Sequence, residues 1–291
     1  MPPPAPQHSI PKLPLAGADI RLVATDLDGT LLSPEMRVTV ENRAALERCS
    51  ARGIEIVVAT GRSLRSIPDE VRSIHGLRWL VCANGAKIYD NDTFETVYAD
   101  CLDPHAIESV WPLIQDTRLM KEVFWEGIPY TQAAAIEDPG RFGVPRTFHD
   151  YVRSTRMPVP DIAAFTEQHI AEIENINFIH RDEAHRVQLL HELAVNDGLY
   201  TLTTSLPFNY EIGGADTSKA HALAQLCERL GIERRQTLCI GDNNNDVSML
   251  SFAGIGVAMG DASEAAKEAA DFITLDCEED GVAFAIQVLV E

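Results

Sequence analysis

The sequence has little positive charge. Its 24 Lys and Arg residues stand against 44 Asp and Glu residues, which gives a formal net charge of −20 at pH 7. A surface this negative repels nucleic acid and anionic membranes, so neither is an expected partner. The sequence also lacks an apolar run near the roughly 18 residues that span a bilayer, and its N-terminus lacks the pattern of a signal peptide.

Paired cysteine motifs are missing as well. The six cysteines include no C-x-x-C pair, and several lie in apolar runs such as Leu80-Val81-Cys82. This pattern predicts buried, reduced thiols and therefore a cytoplasmic protein. The sequence does not indicate an oligomeric state.

The length of 291 residues predicts two domains, or one large domain with an insertion. Residues 1–18 contain six prolines and are predicted to form a flexible tail. From Ile20 onward, short apolar runs alternate with amphipathic segments, which is typical of a mostly parallel sheet covered by helices on both faces. The predicted fold class is therefore α/β, with a Rossmann-like, doubly wound parallel sheet.

The predicted elements of this sheet fall into two groups. Early strands cover Ile20–Thr25, Ile54–Ala59 and Trp79–Cys82, with helices over Val40–Ala51 and from about Ser63. Late strands cover Thr237–Ile240, Ile255–Ala258 and Phe272–Thr274, with helices from about Ser218, Asp246, Ser263 and Val282.

The stretch between the two groups, residues 86–206, is too long for a strand-to-helix connection. It mixes candidate strands with candidate helices and is predicted to be an inserted α+β domain. The core domain is then predicted to comprise residues 19–85 and 207–291.

The strongest chemical signal is Asp26-Leu27-Asp28-Gly29-Thr30, directly after the first predicted strand. Residues two apart on an extended chain face the same side, so both carboxylates are expected to point into one site. Two such charges repel each other unless a cation or a proton lies between them, and Mg²⁺ prefers carboxylate oxygens. The alternative for this segment is an Asp-rich turn that caps a helix.

Three further segments carry weaker signals. Thr60-Gly61-Arg62 ends a strand before a helix and presents a hydroxyl and backbone N–H groups to an anion. Lys219 lies in the first turn of a helix, where its charge opposes the helix dipole. Gly241-Asp242-Asn243-Asn244-Asn245-Asp246 follows an apolar strand and places two carboxylates near a helix start.

Open α/β sheets bind ligands beyond the carboxyl ends of their strands. A single sheet would therefore bring the side chains of the four segments to a common edge. The side chains expected there are Asp26, Asp28, Thr60, Lys219, Asp242 and Asp246.

These four segments, in this order, resemble the motifs of the haloacid dehalogenase superfamily, specifically its Cof-type phosphatase branch. The predicted insertion matches the position and length of the large type IIB-like cap of that branch. Asn84-Gly85-Ala86 and Val257-Ala258-Met259-Gly260 are further points of similarity, although Asn84-Gly85 is also compatible with a hairpin turn. One departure is Asp261, where many relatives have Asn.

The resemblance implies a magnesium-dependent phosphatase that acts on small phosphorylated metabolites, such as sugar phosphates or phosphorylated cofactors. It implies that Asp26 is the nucleophile and Asp28 the general acid and base. The implied phosphate ligands are Thr60, Gly61, Lys219 and Asn245. The implied Mg²⁺ ligands are Asp26, Asp28 (through its backbone carbonyl), Asp242 and Asp246.

Two other functions remain compatible with the motifs. A phosphomutase or phosphotransferase on the same scaffold would transfer the phosphoryl group to a second acceptor in place of water. A non-enzymatic signalling domain phosphorylated on Asp would also use acidic residues, Mg²⁺, Thr and Lys. Such receiver domains are shorter and lack both the cap and the second Asp.

Overall fold

The computed structural model describes residues 19–180, 182–195, 198–204 and 208–291. The predicted tail, residues 1–18, lies outside the described residues. Within these ranges, no helix combines the length and the apolar character that crossing a membrane requires.

The first part of the chain forms one half of a large sheet. Its elements are β1 (Leu22–Thr25), α1 (Val40–Ala51), β2 (Glu55–Ala59), α2 (Asp69–Arg72), β3 (Leu77–Cys82), β4 (Lys87–Asp90) and β5 (Thr96–Ala99). Every residue of β1 is buried, as expected for a central strand with helices on both faces. Helix α1 begins after Thr39, whose hydroxyl accepts a hydrogen bond from the Asn42 backbone N–H.

The middle of the chain forms a second sheet with its own helices, which we call the cap. Its elements are α3 (Pro104–Val110), β6 (Met120–Trp125), β7 (Ile128–Gln132), α4 (Ala133–Glu137), α5 (His149–Thr155), β8 (Met157–Val159), α6 (Ile162–Gln168), β9 (Asn175–Ile179), α7 (Glu183–Leu193), β10 (Tyr200–Thr203) and β11 (Asn209–Gly214). The strand order is β10-β11-β9-β6-β7-β8. Apolar residues of α3, α6 and α7 pack with those of β6, β9 and β11 in one cluster, which is the hydrophobic core of the cap.

The last part of the chain returns to the large sheet and completes the core domain. Its elements are α8 (Lys219–Leu230), β12 (Thr237–Gly241), α9 (Val247–Phe252), β13 (Ile255–Ala258), α10 (Glu264–Ala269), β14 (Phe272–Ile273) and α11 (Gly281–Leu289). The strand order is β14-β13-β12-β1-β2-β3-β4-β5, and the pairs from β14 to β3 are parallel. The α/β prediction, with a parallel sheet and an inserted α+β cap, is confirmed.

Strand pairing assigns three strands differently from the predicted domain boundaries. Strands β4 and β5 continue the large sheet as an antiparallel hairpin on β3, although the insertion was expected to begin at residue 86. Strand β11 pairs with β9 and β10 in the cap, although the core was expected to resume at residue 207. Because backbone hydrogen bonds tie each strand to its sheet, we propose boundaries near residues 100 and 215. The predicted cap end at residue 206 lies outside the described residues.

The helix predicted from about Ser63 is also different in the structure. Leu64–Ser66 forms one 3₁₀ turn, and α2 starts only after Pro68. Ile67 precedes that proline and has an extended conformation, with φ −78° and ψ 124°. Proline disfavours helical geometry in the residue before it, so the helix is interrupted at this point.

Candidate active site

The predicted site residues lie at the carboxyl edge of the large sheet. Asp26 follows β1, Thr60 follows β2, and Asp242 follows β12. Strand β1 pairs in parallel with both β2 and β12, so the three strands end side by side. The strand order runs to β2 and β3 on one side of β1 and to β12 and β13 on the other. Such a switch point in the strand order is where open α/β sheets form a ligand crevice.

Three carboxylates converge at this edge. One oxygen each from Asp26, Asp242 and Asp246 lies within 4.8 Å of the others. Asp246 is fixed by the backbone N–H groups of Asp242 and Asn243, which donate to its Oδ2 at 3.0 Å each. The Thr30 hydroxyl donates to Asp242 Oδ1 at 2.8 Å. The loop after β12 thus holds two acidic side chains in fixed orientations beside Asp26.

Lys219 supplies positive charge between two of these carboxylates. Its Nζ donates to Asp26 Oδ1 at 2.6 Å and to Asp246 Oδ1 at 2.5 Å, and its side chain is fully buried. Burial lowers the pKa of Lys219, but the charges of Asp246 and Asp26 outweigh it and raise that pKa above its ordinary value. Lys219 is the first residue of α8, after the N-cap Ser218.

One lysine does not balance three carboxylates. Burial raises the pKa of Asp26 well above its ordinary value; Lys219 opposes the shift, and the neighbouring Asp246 and Asp242 add to it. Burial, with Asp246, likewise raises the pKa of Asp242 to about 7. Such a set of oxygen ligands, short of positive charge, suits a hard divalent cation.

The backbone around these carboxylates leaves little free space. At Gly29, with φ +81°, an added Cβ would lie 2.6 Å from Asp242 Oδ2. No larger residue fits beside Asp242 without moving this carboxylate. The glycine of the first motif therefore keeps Asp242 close to the Asp26 loop.

The Asp28 side chain is not part of this carboxylate group. It binds the Arg62 guanidinium through two hydrogen bonds, 2.7 Å from Nε to Oδ2 and 2.6 Å from Nη2 to Oδ1. The side chain of Asp28 is one-third exposed, whereas that of Arg62 is buried. Any metal contact by Asp28 must therefore come from its backbone carbonyl. Arg62 belongs to the Thr60-Gly61-Arg62 segment, but no sequence pattern indicates that its partner is Asp28.

Three of the residues predicted to bind phosphate, Thr60, Gly61 and Asn245, line one cavity with Asp26. Thr60 is buried, and its hydroxyl accepts from the Arg62 backbone N–H at 3.2 Å. Asn245 donates from Nδ2 to Asn84 Oδ1 at 3.0 Å. An added Cβ at Gly61 would lie 3.1 Å from the same Asn84 oxygen. Asn84, from the Asn84-Gly85-Ala86 segment that resembles the family, is thus part of the site.

A cavity of about 60 Å³ lies between these core residues and the cap. Asp26, Asp28 and Arg62 line it from the core, and side chains of the cap line the opposite side. The cap contributes Phe124, Phe148, Tyr151, Arg156, Asn177, Asn209 and Glu211.

None of these cap residues was predicted from the sequence. The only available signal is that polar side chains at positions 122, 177 and 211 interrupt apolar strands at buried positions. That signal does not show which face of the cap meets the core. The face that meets the core depends on pairing between strands that are far apart in the chain.

Comparisons with known proteins agree with this architecture. The family model for haloacid dehalogenase-like hydrolases matches residues 23–286. The chain is 33% identical over 269 residues to the 5-amino-6-(5-phospho-D-ribitylamino)uracil phosphatase YcsE of Bacillus subtilis, covering 92% of this chain and 95% of that protein.

Solved structures show the same fold over nearly the whole chain. A haloacid dehalogenase-like hydrolase from B. subtilis has a TM-score of 0.80 and 28% identity, and the match covers 93% of this chain and all of that one. A subclass IIB sugar phosphatase of the same superfamily, 22% identical, has a TM-score of 0.75 and is covered over 98% of its length, with 92% of this chain. The core, the cap and the motif order confirm the resemblance to the Cof-type branch, and the chain belongs to the haloacid dehalogenase-like hydrolase family.

Proposed function

We propose that the chain is a Mg²⁺-dependent phosphatase that hydrolyses small phosphate monoesters through an aspartyl phosphate on Asp26. The observation that carries this proposal is the convergence of Asp26 with Lys219 and two further carboxylates at the carboxyl edge of the sheet. A similar set of charges on a surface loop would be solvated. Here Asp26, Asp246 and Lys219 are buried, Asp242 is half-buried, and Asp26 lines a cavity.

The side chains of Asp26, Asp242 and Asp246 would hold the magnesium ion, together with the Asp28 backbone carbonyl. When bound, the ion would neutralise negative charge on the carboxylates and on the transferring phosphoryl group. Lys219 contributes a second positive charge from the protein itself. This charge favours the ionised form of Asp26, which is the form that can act as a nucleophile.

In the first half-reaction, a carboxylate oxygen of Asp26 attacks phosphorus and the bond from phosphorus to the leaving oxygen breaks. Asp28 gives a proton to that leaving oxygen, so the product is a neutral alcohol. Thr60 and the backbone N–H groups of the following loop, with Asn245, would orient the phosphoryl oxygens. Their positions are fixed by the strand ends and by Asn84 before substrate binds.

In the second half-reaction, a water molecule attacks the phosphorus of the aspartyl phosphate. Asp28 takes up a proton from this water, the bond from phosphorus to Asp26 breaks, and inorganic phosphate leaves. The cap excludes other water from the cavity during these steps. Both oxygens of Asp28 accept from Arg62 in this structure, so one of these two hydrogen bonds would open when Asp28 carries the proton, and the other would keep the carboxyl group oriented.

Substrates are proposed to be small phosphorylated metabolites, because the cavity that Asp26 lines has a volume of only about 60 Å³ and is bounded on one side by the cap. The similarity to a phosphatase named for a phosphoribityl compound supports this class. A cytoplasmic location is part of the same proposal, and its support is that all six cysteines are free thiols.

The test is phosphate release from p-nitrophenyl phosphate, with and without Mg²⁺, by the wild type and by Asp26→Asn. The substitution keeps the shape of the side chain but removes the nucleophilic oxygen. We expect kcat to fall by at least 10³-fold, which is within the range for loss of a covalent nucleophile. The exposed Asp92→Asn is the control and should retain wild-type turnover.

Acid quenching during turnover should trap the phosphoryl group on Asp26. A fall in kcat of less than tenfold for Asp26→Asn contradicts the mechanism. A phospho-Asp26 that persists for minutes to hours would favour a signalling role. Phosphate release that requires an added sugar acceptor would favour a phosphotransferase.

A further inference from the structure

The sheet of the cap presents a row of polar side chains to the core domain. Glu211 of β11 pairs with Asn177 of β9, and Asn177 pairs with Glu122 of β6. Residues in register on neighbouring strands point to the same face, so the three side chains lie side by side. All three are buried. Buried polar groups are costly unless they are hydrogen-bonded, so the partners of each one matter.

The two ends of the row have strong partners. The Arg156 guanidinium donates to Glu122 from Nε at 2.7 Å and from Nη2 at 3.1 Å. Glu211 accepts from Asn84 at 2.5 Å and from Asn209 at 2.8 Å. The carboxylates of Glu122 and Glu211 are therefore both hydrogen-bonded to other side chains of the protein.

The centre of the row is different. Asn177 is only 5% exposed and lines the cavity that also contains Asp26 and Asp28. Its Oδ1 has no hydrogen-bond partner. Among the described residues, it is the only residue of this cavity with a buried side-chain polar atom that lacks a partner. Leaving such an atom unpaired destabilises the site, and a ligand that donates a hydrogen bond to it would remove that penalty.

The charged side chains that line the cavity, from the core and from the cap, restrict the charge of that ligand. The two guanidinium groups that line it are each paired with a carboxylate, Arg62 with Asp28 and Arg156 with Glu122. The Tyr151 ring contacts both guanidinium groups, with centroid distances of 4.8 and 4.5 Å. Among the described residues that line this cavity, no cation is therefore left over for a second anionic group on the substrate.

We propose that Asn177 is a specificity-determining residue, which selects phosphate monoesters of uncharged polyhydroxylated alcohols by accepting a hydrogen bond from a hydroxyl of the leaving group. This inference rests on the proposed phosphatase function and adds to it the chemistry of the leaving alcohol. A substrate without that hydroxyl leaves the Asn177 oxygen unpaired in the closed cavity. A substrate with a further carboxylate or phosphate brings negative charge next to Glu122 and Glu211.

The experiment compares kcat/KM for matched pairs of substrates with three to six carbons. Each polyol monophosphate, from glycerol 3-phosphate to glucitol 6-phosphate, is paired with the n-alkyl phosphate of equal length. The wild type should prefer the polyol by about 10- to 100-fold at the chain length that reaches Asn177, because loss of a hydrogen bond to a buried group has this effect. 3-Phosphoglycerate should be a poorer substrate than glycerol 3-phosphate.

Asn177→Leu, of similar volume but without polar atoms, should reduce the polyol preference to below about threefold. Asn177→Ala is the second variant, in case the first does not fold, and a thermal melt establishes folding for both. Thr131→Val is the matched control. Thr131 is buried in the same cap sheet and lies opposite Glu122 on β7, but it does not line the cavity. This variant should keep the wild-type preference.

Equal rates for polyol and alkyl phosphates at every length would overturn the inference, as would a preference that survives both Asn177 variants. Binding of the same pairs to Asp26→Asn protein, measured by isothermal titration calorimetry, tests the subsite without turnover. Tighter binding of the polyol member, lost on substitution of Asn177, supports it even if no phosphatase activity is found. Equal binding of both members overturns it even if p-nitrophenyl phosphate is hydrolysed.

Discussion

The Arg62 guanidinium donates to both carboxylate oxygens of Asp28, from Nε at 2.7 Å and from Nη2 at 2.6 Å. Its Nη1 donates to the Ser66 carbonyl at 2.9 Å. The same guanidinium group lies 4.8 Å from the centre of the Tyr151 ring, which belongs to the cap. A single core side chain therefore orients the proposed acid and base and also contacts the domain that closes the cavity.

Arg62→Ala is expected to lower kcat by about 10- to 100-fold for alkyl phosphates, because Asp28 loses the group that fixes its orientation. The loss should be smaller for p-nitrophenyl phosphate, whose leaving group needs no proton. Steady-state kinetics with both substrates provides the measurement. The control is Arg65→Ala, an exposed arginine in the adjacent 3₁₀ turn. Equal losses for both substrates would assign Arg62 to phosphate binding, not to the orientation of Asp28.

Lys219→Met is expected to destabilise the metal-free protein by about 3–5 kcal/mol, because it leaves Asp26 and Asp246 buried without a partner of opposite charge. Urea unfolding followed by circular dichroism measures the change in the free energy of unfolding. The control is Lys267→Met, which removes a 3.9 Å ion pair to the exposed Glu264 and should change stability by no more than about 0.5 kcal/mol. Similar losses for the two variants would contradict the buried role of Lys219.

Magnesium is expected to raise the melting temperature of the wild type, because a ligand that binds only the folded state stabilises it. EDTA should reverse the shift. Asp242→Asn removes one of the three converging carboxylates and should reduce or abolish the effect of Mg²⁺. Differential scanning fluorimetry over a Mg²⁺ titration tests this, with the exposed Asp92→Asn as control. An unchanged Mg²⁺ response in Asp242→Asn would place the ion elsewhere.

Gly29→Ala is expected to reduce kcat/KM by at least tenfold, since the new Cβ would lie 2.6 Å from Asp242 Oδ2 and displace that carboxylate. Gly53→Ala is a closely matched control: its φ of +78° is near the +81° of Gly29, but nothing lies within 4 Å of an added Cβ. Both variants should lose about 1 kcal/mol of stability through backbone strain. Only Gly29→Ala should lose activity. Parallel kinetics and thermal melts separate the two effects, and equal activity losses would mean that strain alone is responsible.

Much of the core followed from local sequence patterns. Apolar runs predicted the strands around Leu22–Thr25 and Thr237–Gly241, and the motif residues fell at their carboxyl ends. Because parallel strands end at the same edge, the meeting of Asp26 with Asp242 could be expected without knowing any distance. The helix predicted from Ser63 was wrong because a nearby proline outweighed the amphipathic pattern.

The boundaries of the cap could not be predicted from the sequence as accurately as the strands of the core. Strands β4 and β5 look like the start of an insertion in the sequence, yet they pair with the core sheet. Strand membership depends on hydrogen bonds to distant segments, for which short-range patterns carry little information. The ion pair between Arg62 and Asp28 could not be predicted either, because the two residues lie 34 positions apart in the chain.

The sequence by itself determined the family, the order of the motifs and the side chains that meet at the sheet edge, because each depends on local strand and turn chemistry. Only the tertiary structure decided which polar side chains of the cap face the cavity. Asn177 lies between Glu122 and Glu211 because three strands, far apart in the chain, pair in one register. A shift of one residue in the register of β9 would turn Asn177 to the opposite face and away from this row, so long-range pairing fixes this part of the site.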